Sequence, residues 1–163
     1  MTRNGGLHKE NNNEVPQAIA GALQAAGQWR TNAANGPPLD APPMFNSDPS
    51  QMPEDADSPF KEAASYSVTK RGNHPRSGQK VPPSSYDLMV SYDSFNFQHL
   101  ISPRPYLMIA GSDAQNLHFS RDAVAAAREP RELFVVDGKN HFDLYDDLTV
   151  SGPKLVNYFG KNL

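Results

Sequence analysis

An aspartate and a histidine in the last third of the sequence each follow a run of apolar residues. Asp113 comes after the run from Pro105 to Gly111, and His141 comes after the run from Glu132 to Asp137. In a catalytic triad, a carboxylate holds the tautomer of an imidazole and the imidazole takes the proton of a nucleophile. The two positions therefore predict acid–base chemistry, provided that both runs are strands ending at one edge of a sheet.

The opposing interpretation is that His141 is a polar surface residue, as single loop histidines usually are. Its position directly after an apolar run favours the catalytic interpretation. The other histidines stand in the N-terminal tail or in loops without a partner pattern, or are expected to be structural or exposed: His8, His74, His99 and His118. No His-Glu-x-x-His or other metal-ligand pattern occurs, so we expect neither a metal nor a cofactor.

The nucleophile of such a triad is absent from the sequence. A serine on a tight strand-to-helix turn needs the pattern Gly-x-Ser-x-Gly, because small neighbours allow the turn. None of the 11 glycines is followed two residues later by Ser or Cys. In the chain order Ser…Asp…His, that motif would precede the apolar runs, where we find only a helical pattern and loops.

The apolar runs predict the elements that position these residues. Residues 105–110 and 132–136 are expected to be adjacent parallel strands that are buried on both faces. A helix over 121–128, N-capped by Ser120 and stopped before Pro130, should cross between them. Pro153 should open a final helix that places Leu155, Tyr158, Phe159 and Leu163 on one face. The sequence thus predicts an α/β fold, with a βαβ unit followed by a helix.

The remainder of the chain is polar and rich in turn residues. Residues 1–14 read as a tail, and residues 32–59 and 67–85 read as irregular segments that contain many prolines and glycines. Helical spacing predicts a helix over 15–31, with Val15, Ile19, Leu23, Ala26 and Trp29 on one face. Shorter helices are expected over 60–66 and within 86–97, the latter with Leu88, Met89, Tyr92 and Phe95 on one side. The predicted organisation is a tail (1–14), a cap-like segment (15–101) and a core segment (102–163).

Two parallel strands cannot form a stable sheet by themselves, because both faces and both edges need cover. Either further strands precede this sequence, or a second chain supplies them. We therefore expect the exposed sheet edge to support self-association or the binding of a complementing chain.

Composition excludes several classes of function. The chain of 163 residues has a net charge of −3 without a block of Lys or Arg, which argues against a nucleic-acid partner. It has no cysteine, so disulfides and thiolate metal sites are excluded. Its mean hydropathy is −0.64, and no segment approaches the about 18 apolar residues of a membrane span. We expect a cytoplasmic protein that does not bind membranes.

Several segments resemble one branch of the α/β hydrolases. This is the dienelactone-hydrolase-like group, which includes bacterial hydrolases and fungal polyketide-transferase-like enzymes. The most specific match is Ser-Pro-Arg-Pro at the strand entry, followed by Gly-x-x-His-x-Asp-Leu-Tyr-Asp. The matching stretches, which together run across most of residues 15–163, are 25–31, 66–77, 102–112, 119–120, 129–134 and 138–146.

The resemblance implies a partial α/β-hydrolase fold: the C-terminal βαβ unit and final helix, preceded by a cap-like helical and Pro-rich segment. Members of the group carry four or more strands and the nucleophile turn before the segment that matches residue 15. The chain is then a truncated C-terminal part that is inactive alone. In a full-length form it would act on a small-molecule ester, thioester or similar acyl substrate, by hydrolysis or acyl transfer.

The resemblance also implies roles for individual residues. His141 matches the catalytic histidine. The group tends to read Gly-Ser-Glu-Ala-Asp after the first strand, with the last Asp as the triad acid, and Gln115 stands at that position here. Asp113 is the acid that the chain offers instead, if the loop rearranges.

Two other interpretations of the chain stay open. It could be a non-catalytic half-domain or degenerate remnant that pairs with another chain, or a small independent binding module.

Overall fold

The computed structural model describes residues 15–37, 39–46, 48–51 and 58–163. These residues form a mixed α/β protein with a two-stranded parallel sheet and six α-helices, as the α/β prediction expected. They divide into two compact units, one extending to Asp93 and the other from Ser94 to Leu163. The predicted tail at 1–14 and part of the irregular segment, residues 38, 47 and 52–57, lie outside the described residues.

The N-terminal unit begins with helix α1, Val15–Asn35. The predicted helix is confirmed and is four residues longer than expected, so residues 32–35 are helical and not irregular. Ala26 is buried, whereas Leu23, assigned to the same face, is 45% exposed. Arg30 attaches the helix to the region that follows Pro82, because its guanidinium donates hydrogen bonds to both carboxylate oxygens of Asp87 (2.6 and 2.8 Å) and to the carbonyl of Ser84 (2.6 Å).

Helix α2, Ser58–Ser67, confirms the predicted short helix over 60–66. The irregular segment before it is held by a few contacts. The Phe45 ring packs on Phe60 with centroids 4.9 Å apart, and the Met44 amide donates to the Gln79 carbonyl at 2.6 Å. An isolated bridge pairs Pro43 with Lys80.

Helix α3, Tyr86–Ser91, is shorter than the helix expected within 86–97. The backbone turns extended at Tyr92 (φ −81°, ψ 121°), so the predicted apolar side does not form. Leu88 is 67% exposed and Met89 is exposed, whereas Phe95 is buried and belongs to the C-terminal unit. The prediction of one apolar face over this segment is wrong, because it extended helical spacing beyond the end of the helix.

The C-terminal unit contains strands β1, Tyr106–Gly111, and β2, Arg131–Val136. They pair in parallel, from Tyr106 opposite Arg131 to Gly111 opposite Val136, and helix α4, Leu117–Ala126, joins them. The predicted βαβ unit is confirmed. Phe95, Phe119, Ala123 and Met108 pack together on it.

Helix α4 begins earlier than predicted, and Ser120 is not its N-cap. Asn116 precedes the first helical residue, and Ser120 lies inside the helix. The earlier start buries Leu117 and Phe119, and this burial outweighs the capping preference of a serine. At the other end, Arg131 donates hydrogen bonds to the carbonyls of Val124 (2.5 Å), Ala125 (2.8 Å) and Ala127 (2.9 Å), which closes the helix next to β2.

The strands are less covered than their apolar sequences predicted. In β2 only Val136 is buried, and Val135 is 40% exposed. In β1, Ala110 and Gly111 are buried and the preceding residues are partly buried. The expectation of burial on both faces is therefore wrong for the described chain, since two strands leave two edges and part of each face without cover.

The C-terminal unit ends with the short helix α5, Asp143–Asp146, and with α6, Ser151–Asn162. Helix α6 begins two residues before Pro153, which lies in its first turn. Its Tyr158 hydroxyl donates to the Pro105 carbonyl at 2.5 Å, and Lys154 forms an ion pair with Glu132 of β2. Of the residues predicted on one face of this helix, Phe159 is 50% exposed, and Leu163 lies after the last helical residue and is fully exposed.

Candidate functional site

The loops that follow β1 and β2 lie side by side at the carboxyl edge of the sheet. Ser112 links them, because its hydroxyl accepts a hydrogen bond from the Gly138 amide (2.7 Å) and donates one to Asp113 Oδ1 (2.7 Å). The Asp113 amide donates to the Lys139 carbonyl at 3.0 Å, and the Ser112 amide donates to the Val136 carbonyl at 2.9 Å. The sequence prediction that both loops open on one edge is confirmed.

The close approach of the loops requires a glycine at position 111. A Cβ atom built on Gly111 would lie 1.9 Å from the Lys139 carbonyl oxygen, which is a main-chain atom held in place by the Asp113 amide. Gly138, on the other loop, has a φ of +63°, a conformation that other residues rarely adopt. Both glycines therefore shape the site through the backbone.

The backbone around His141 is fixed by three hydrogen bonds, two of which join Asn140 and Asp143 reciprocally. Asn140 Oδ1 accepts from the amides of Phe142 (2.8 Å) and Asp143 (2.9 Å), and Asp143 Oδ2 accepts from the Asn140 amide (3.0 Å). This pattern resembles the capping box that begins many helices, and here it precedes α5. These bonds fix the direction in which the His141 side chain points, since His141 lies between Asn140 and Asp143 in the chain.

The imidazole of His141 contacts a polar side chain at each ring nitrogen. The Asn116 side-chain amide lies 3.3 Å from Nδ1, and the Tyr145 hydroxyl lies 3.2 Å from Nε2. The ring also stands edge-on to Phe142 and to Tyr145, with centroids 5.0 and 5.5 Å apart. His141 is partly buried, so it is both oriented by neighbours and reachable from solvent.

The two acid candidates from the sequence are placed differently from a triad acid. Asp113 is exposed and bonded to Ser112, and Gln115 is exposed with its backbone carbonyl 3.1 Å from His118 Nδ1. Among the described residues, no hydrogen bond joins Asp113 or Gln115 to His141. Sequence reasoning missed Asn116, one position beyond Gln115, and Tyr145. A signal existed in the second case, because Tyr145 follows His141 by four residues, one turn of a helix.

An ion pair joins the loop after β2 to the segment that follows α5. Lys139 Nζ lies 2.7 Å from Asp147 Oδ2, and Asp147 Oδ1 accepts hydrogen bonds from the hydroxyl (2.6 Å) and the amide (3.0 Å) of Thr149. The hydrogen bond from Lys139, followed by those from Thr149, holds the pKa of Asp147 well below its usual range. The same contact raises the pKa of Lys139.

We expect Asp147→Asn to lower the stability of the protein at neutral pH and to weaken its dependence on pH in acid. Because the folded-state pKa is depressed, the carboxylate stabilises the fold above its unfolded pKa of about 4, and this stabilisation is lost as pH falls toward the folded value. Urea midpoints of both proteins at pH 7 and in steps below pH 4 measure the effect. Asp122→Asn, at an exposed position on α4, is the matched control. Parallel pH profiles for Asp147→Asn and the unmodified protein would contradict the assignment.

No group of three or more potential metal-ligating side chains occurs within the described part of the chain. The helices in that part include none that is both long and apolar enough to cross a bilayer.

Comparison with known proteins identifies relatives without an established activity. No protein-family model matches the chain. It is 37% identical over 102 residues to the "uncharacterized protein PA2218" of Pseudomonas aeruginosa, a match that covers 60% of this chain and 28% of the relative. It is 27% identical over 88 residues to the "uncharacterized protein YcjY" of Escherichia coli K12, covering 53% of this chain and 29% of the relative. These sequence matches thus span less than a third of the length of the two curated relatives.

The crystal structure of the hypothetical protein PA2218 has the same fold over nearly all of this chain. The two align with a TM-score of 0.77 and 28% identity, and the alignment covers 98% of this chain and 49% of the solved chain. About half of the solved relative therefore has no counterpart here.

Proposed function

We propose that this chain carries the histidine-bearing part of an α/β hydrolase of the dienelactone-hydrolase-like, polyketide-transferase-like group. The substrate class is an ester or thioester, and the reaction is hydrolysis or acyl transfer with His141 as general base. The observation that carries the proposal is the contact between the two loops: a polar side chain after β1 lies 3.3 Å from Nδ1 of a histidine after β2. Orientation of the imidazole at Nδ1 is what a nucleophile–histidine pair requires.

The proposed chemistry uses one proton-transfer group of this chain. His141 Nε2 takes the proton of a nucleophilic hydroxyl while the nucleophile's oxygen adds to the acyl carbonyl. The bond to the leaving group then breaks, and the imidazolium returns the proton to the departing alkoxide or thiolate. Water or another acyl acceptor then attacks the acyl intermediate. His141 takes the proton of that attacking group and returns it to the nucleophile as the acyl bond breaks. The Tyr145 hydroxyl, 3.2 Å from Nε2, lies where the nucleophile's oxygen would approach.

The nucleophile of this proposal comes from sequence outside the chain. No glycine here begins a Gly-x-Ser motif, and half of the solved relative is not matched. The incomplete cover of β2, with Val135 40% exposed, supports the presence of further structure against the sheet in the complete protein.

A second candidate function is a non-catalytic half-domain that pairs with another chain. It is favoured by the apolar side chains exposed on α6, where Val156 is 75% and Phe159 50% exposed. Val156 and Phe159 lie one helical turn apart on α6, and contiguous exposed apolar surface is a feature of protein interaction sites. The two functions separate by activity, since only the first predicts turnover.

We expect the isolated chain to hydrolyse p-nitrophenyl acetate no faster than its His141→Ala variant, because it has no nucleophile to form the acyl intermediate. A hybrid in which this chain replaces the matching half of PA2218 should hydrolyse aryl esters. Thermal unfolding of the hybrid monitored by circular dichroism establishes that it is folded. A folded hybrid without turnover on any acyl ester would support the half-domain, and turnover by the isolated chain that disappears in His141→Ala would refute the assignment of the nucleophile.

A further inference from the structure

We propose that Asn116 is the positioning residue of His141, occupying at Nδ1 the place that a carboxylate takes in an ordinary triad. The catalytic role of Asn116 rests on the function proposed above, whereas its role in orienting the His141 ring does not. Three observations carry it: the 3.3 Å contact between the Asn116 amide and Nδ1, the bonding of Asp113 to Ser112, and the reciprocal Asn140–Asp143 bonds that hold His141 toward the first loop.

The placement of Asn116 follows from the start of α4. Asn116 is the last residue before the helix, and its side chain makes no capping hydrogen bond to the first turn. Asn at this position usually accepts from the helix amides. Here the side chain is instead directed to the neighbouring loop, where the imidazole is its partner. Asn116 is thus of a type favoured as a helix cap, but its side chain contacts His141 in the loop after β2.

An amide orients the imidazole less strictly than a carboxylate does. When Nδ2 donates to the lone pair of Nδ1, the ring proton sits on Nε2 and can be donated to the Tyr145 hydroxyl, and Nε2 is then no base. When the amide turns, Oδ1 accepts from Nδ1–H and Nε2 carries the lone pair that a general base needs. A carboxylate permits only the second arrangement and also stabilises the imidazolium by its charge. At Nδ1, Asn116 therefore supports general-base action by His141 less well than a carboxylate would.

The substitution Asn116→Asp tests the inference without requiring catalysis. Aspartate is as good a residue before a helix as asparagine, so the fold should be retained. We expect the variant to shift His141 toward the Nδ1–H tautomer and to raise its pKa by about one unit, because a negative charge then lies next to Nδ1. Long-range ¹H–¹⁵N correlation spectra of the isolated chain, recorded as a function of pH, report the tautomer and the pKa together.

Two further variants distinguish positioning from a general disturbance. Asn116→Leu removes both hydrogen-bonding modes and should abolish the preference that Asn116 imposes, without raising the pKa of His141. Asp113→Asn changes a charge on the same loop as Asn116 and should leave the tautomer of His141 unchanged. Lys139 and Asp143, which lie on the loop of His141, are retained in all variants. A His141 signal that responds to Asp113→Asn and not to either Asn116 variant would overturn the inference.

In the hybrid protein, Asn116→Asp should raise kcat for aryl esters by tenfold or more. The activity of the hybrid also separates the proposed acyl chemistry from the proposed role of Asn116. A tautomer shift in an inactive hybrid would leave Asn116 as the partner of His141 and would count against acyl chemistry, whereas an active hybrid with no response of tautomer, pKa or kcat to either Asn116 variant would overturn the inference alone.

Discussion

Replacing His141 with alanine in the hybrid should lower kcat for aryl esters by about four to six orders of magnitude. The imidazole is the group that would take the proton of the nucleophile, and the described site holds no second histidine in contact with Asn116. KM should change little, because the ring is proposed to act on the nucleophile and not on the bound acyl group. Initial rates with p-nitrophenyl acetate over a range of concentrations separate the two parameters.

The matched control for this prediction is His74→Ala. His74 lies in the exposed loop of the N-terminal unit, where its Nδ1 accepts a hydrogen bond from the Arg76 amide at 3.2 Å. We expect this variant to keep full activity. A hybrid that tolerates His141→Ala as well as it tolerates His74→Ala would contradict the role proposed for His141.

Substituting Gly111 with alanine should produce the largest loss of stability among the single changes considered. The new Cβ would fall 1.9 Å from the Lys139 carbonyl oxygen, and that oxygen accepts a hydrogen bond from the Asp113 amide. Neither atom can move without separating the two loops. Overpacking of this kind costs about 1–3 kcal/mol and sometimes more, and we expect the upper end because the obstructing atom is backbone. Urea denaturation at neutral pH measures the change.

Gly160→Ala supplies the same chemical change without the clash. No atom lies within 4 Å of a Cβ built on Gly160, which is in the last turn of α6. This variant should not destabilise the protein, because nothing obstructs the new methyl group and alanine loses less conformational entropy than glycine in a helix. Equal stabilities for Gly111→Ala and the unmodified protein would show that the loops approach each other less closely than described.

The sequence predicted the βαβ unit because its signals are local and strong. Two apolar runs bounded by Gly111 and Gly138, with one amphipathic segment between them, admit few other arrangements. The prediction that His141 and the residues after β1 share one edge followed from the parallel pairing alone. These parts of the fold depend on spacing along the chain, which a sequence displays directly.

The errors arose where burial decides a position that local preference leaves open. Ser120 is a good N-cap by type, but the helix starts at Leu117 because that start buries Leu117 and Phe119. That shift places Asn116 immediately before the helix and next to His141. No feature of the sequence distinguishes Asn116 from Gln115 as the partner, since both are amides in the same loop.

The burial of the apolar residues in β2 and α6 could also not be predicted from the sequence. An apolar run such as that of β2 predicts cover on both faces, yet cover depends on what other segments are present to supply it. Val135, Val156 and Phe159 are exposed in the described part of the chain, although their sequence context is apolar.

Covalent labelling with a fluorophosphonate tests the central claim most directly. The reagent modifies a serine only when a neighbouring base activates it, and intact-protein mass spectrometry counts the modification. We predict stoichiometric labelling of the hybrid, with the label on the part supplied by the relative, and loss of labelling in His141→Ala. Labelling of both proteins at the same rate, or of neither while both are folded, would contradict the assignment of His141 as the general base.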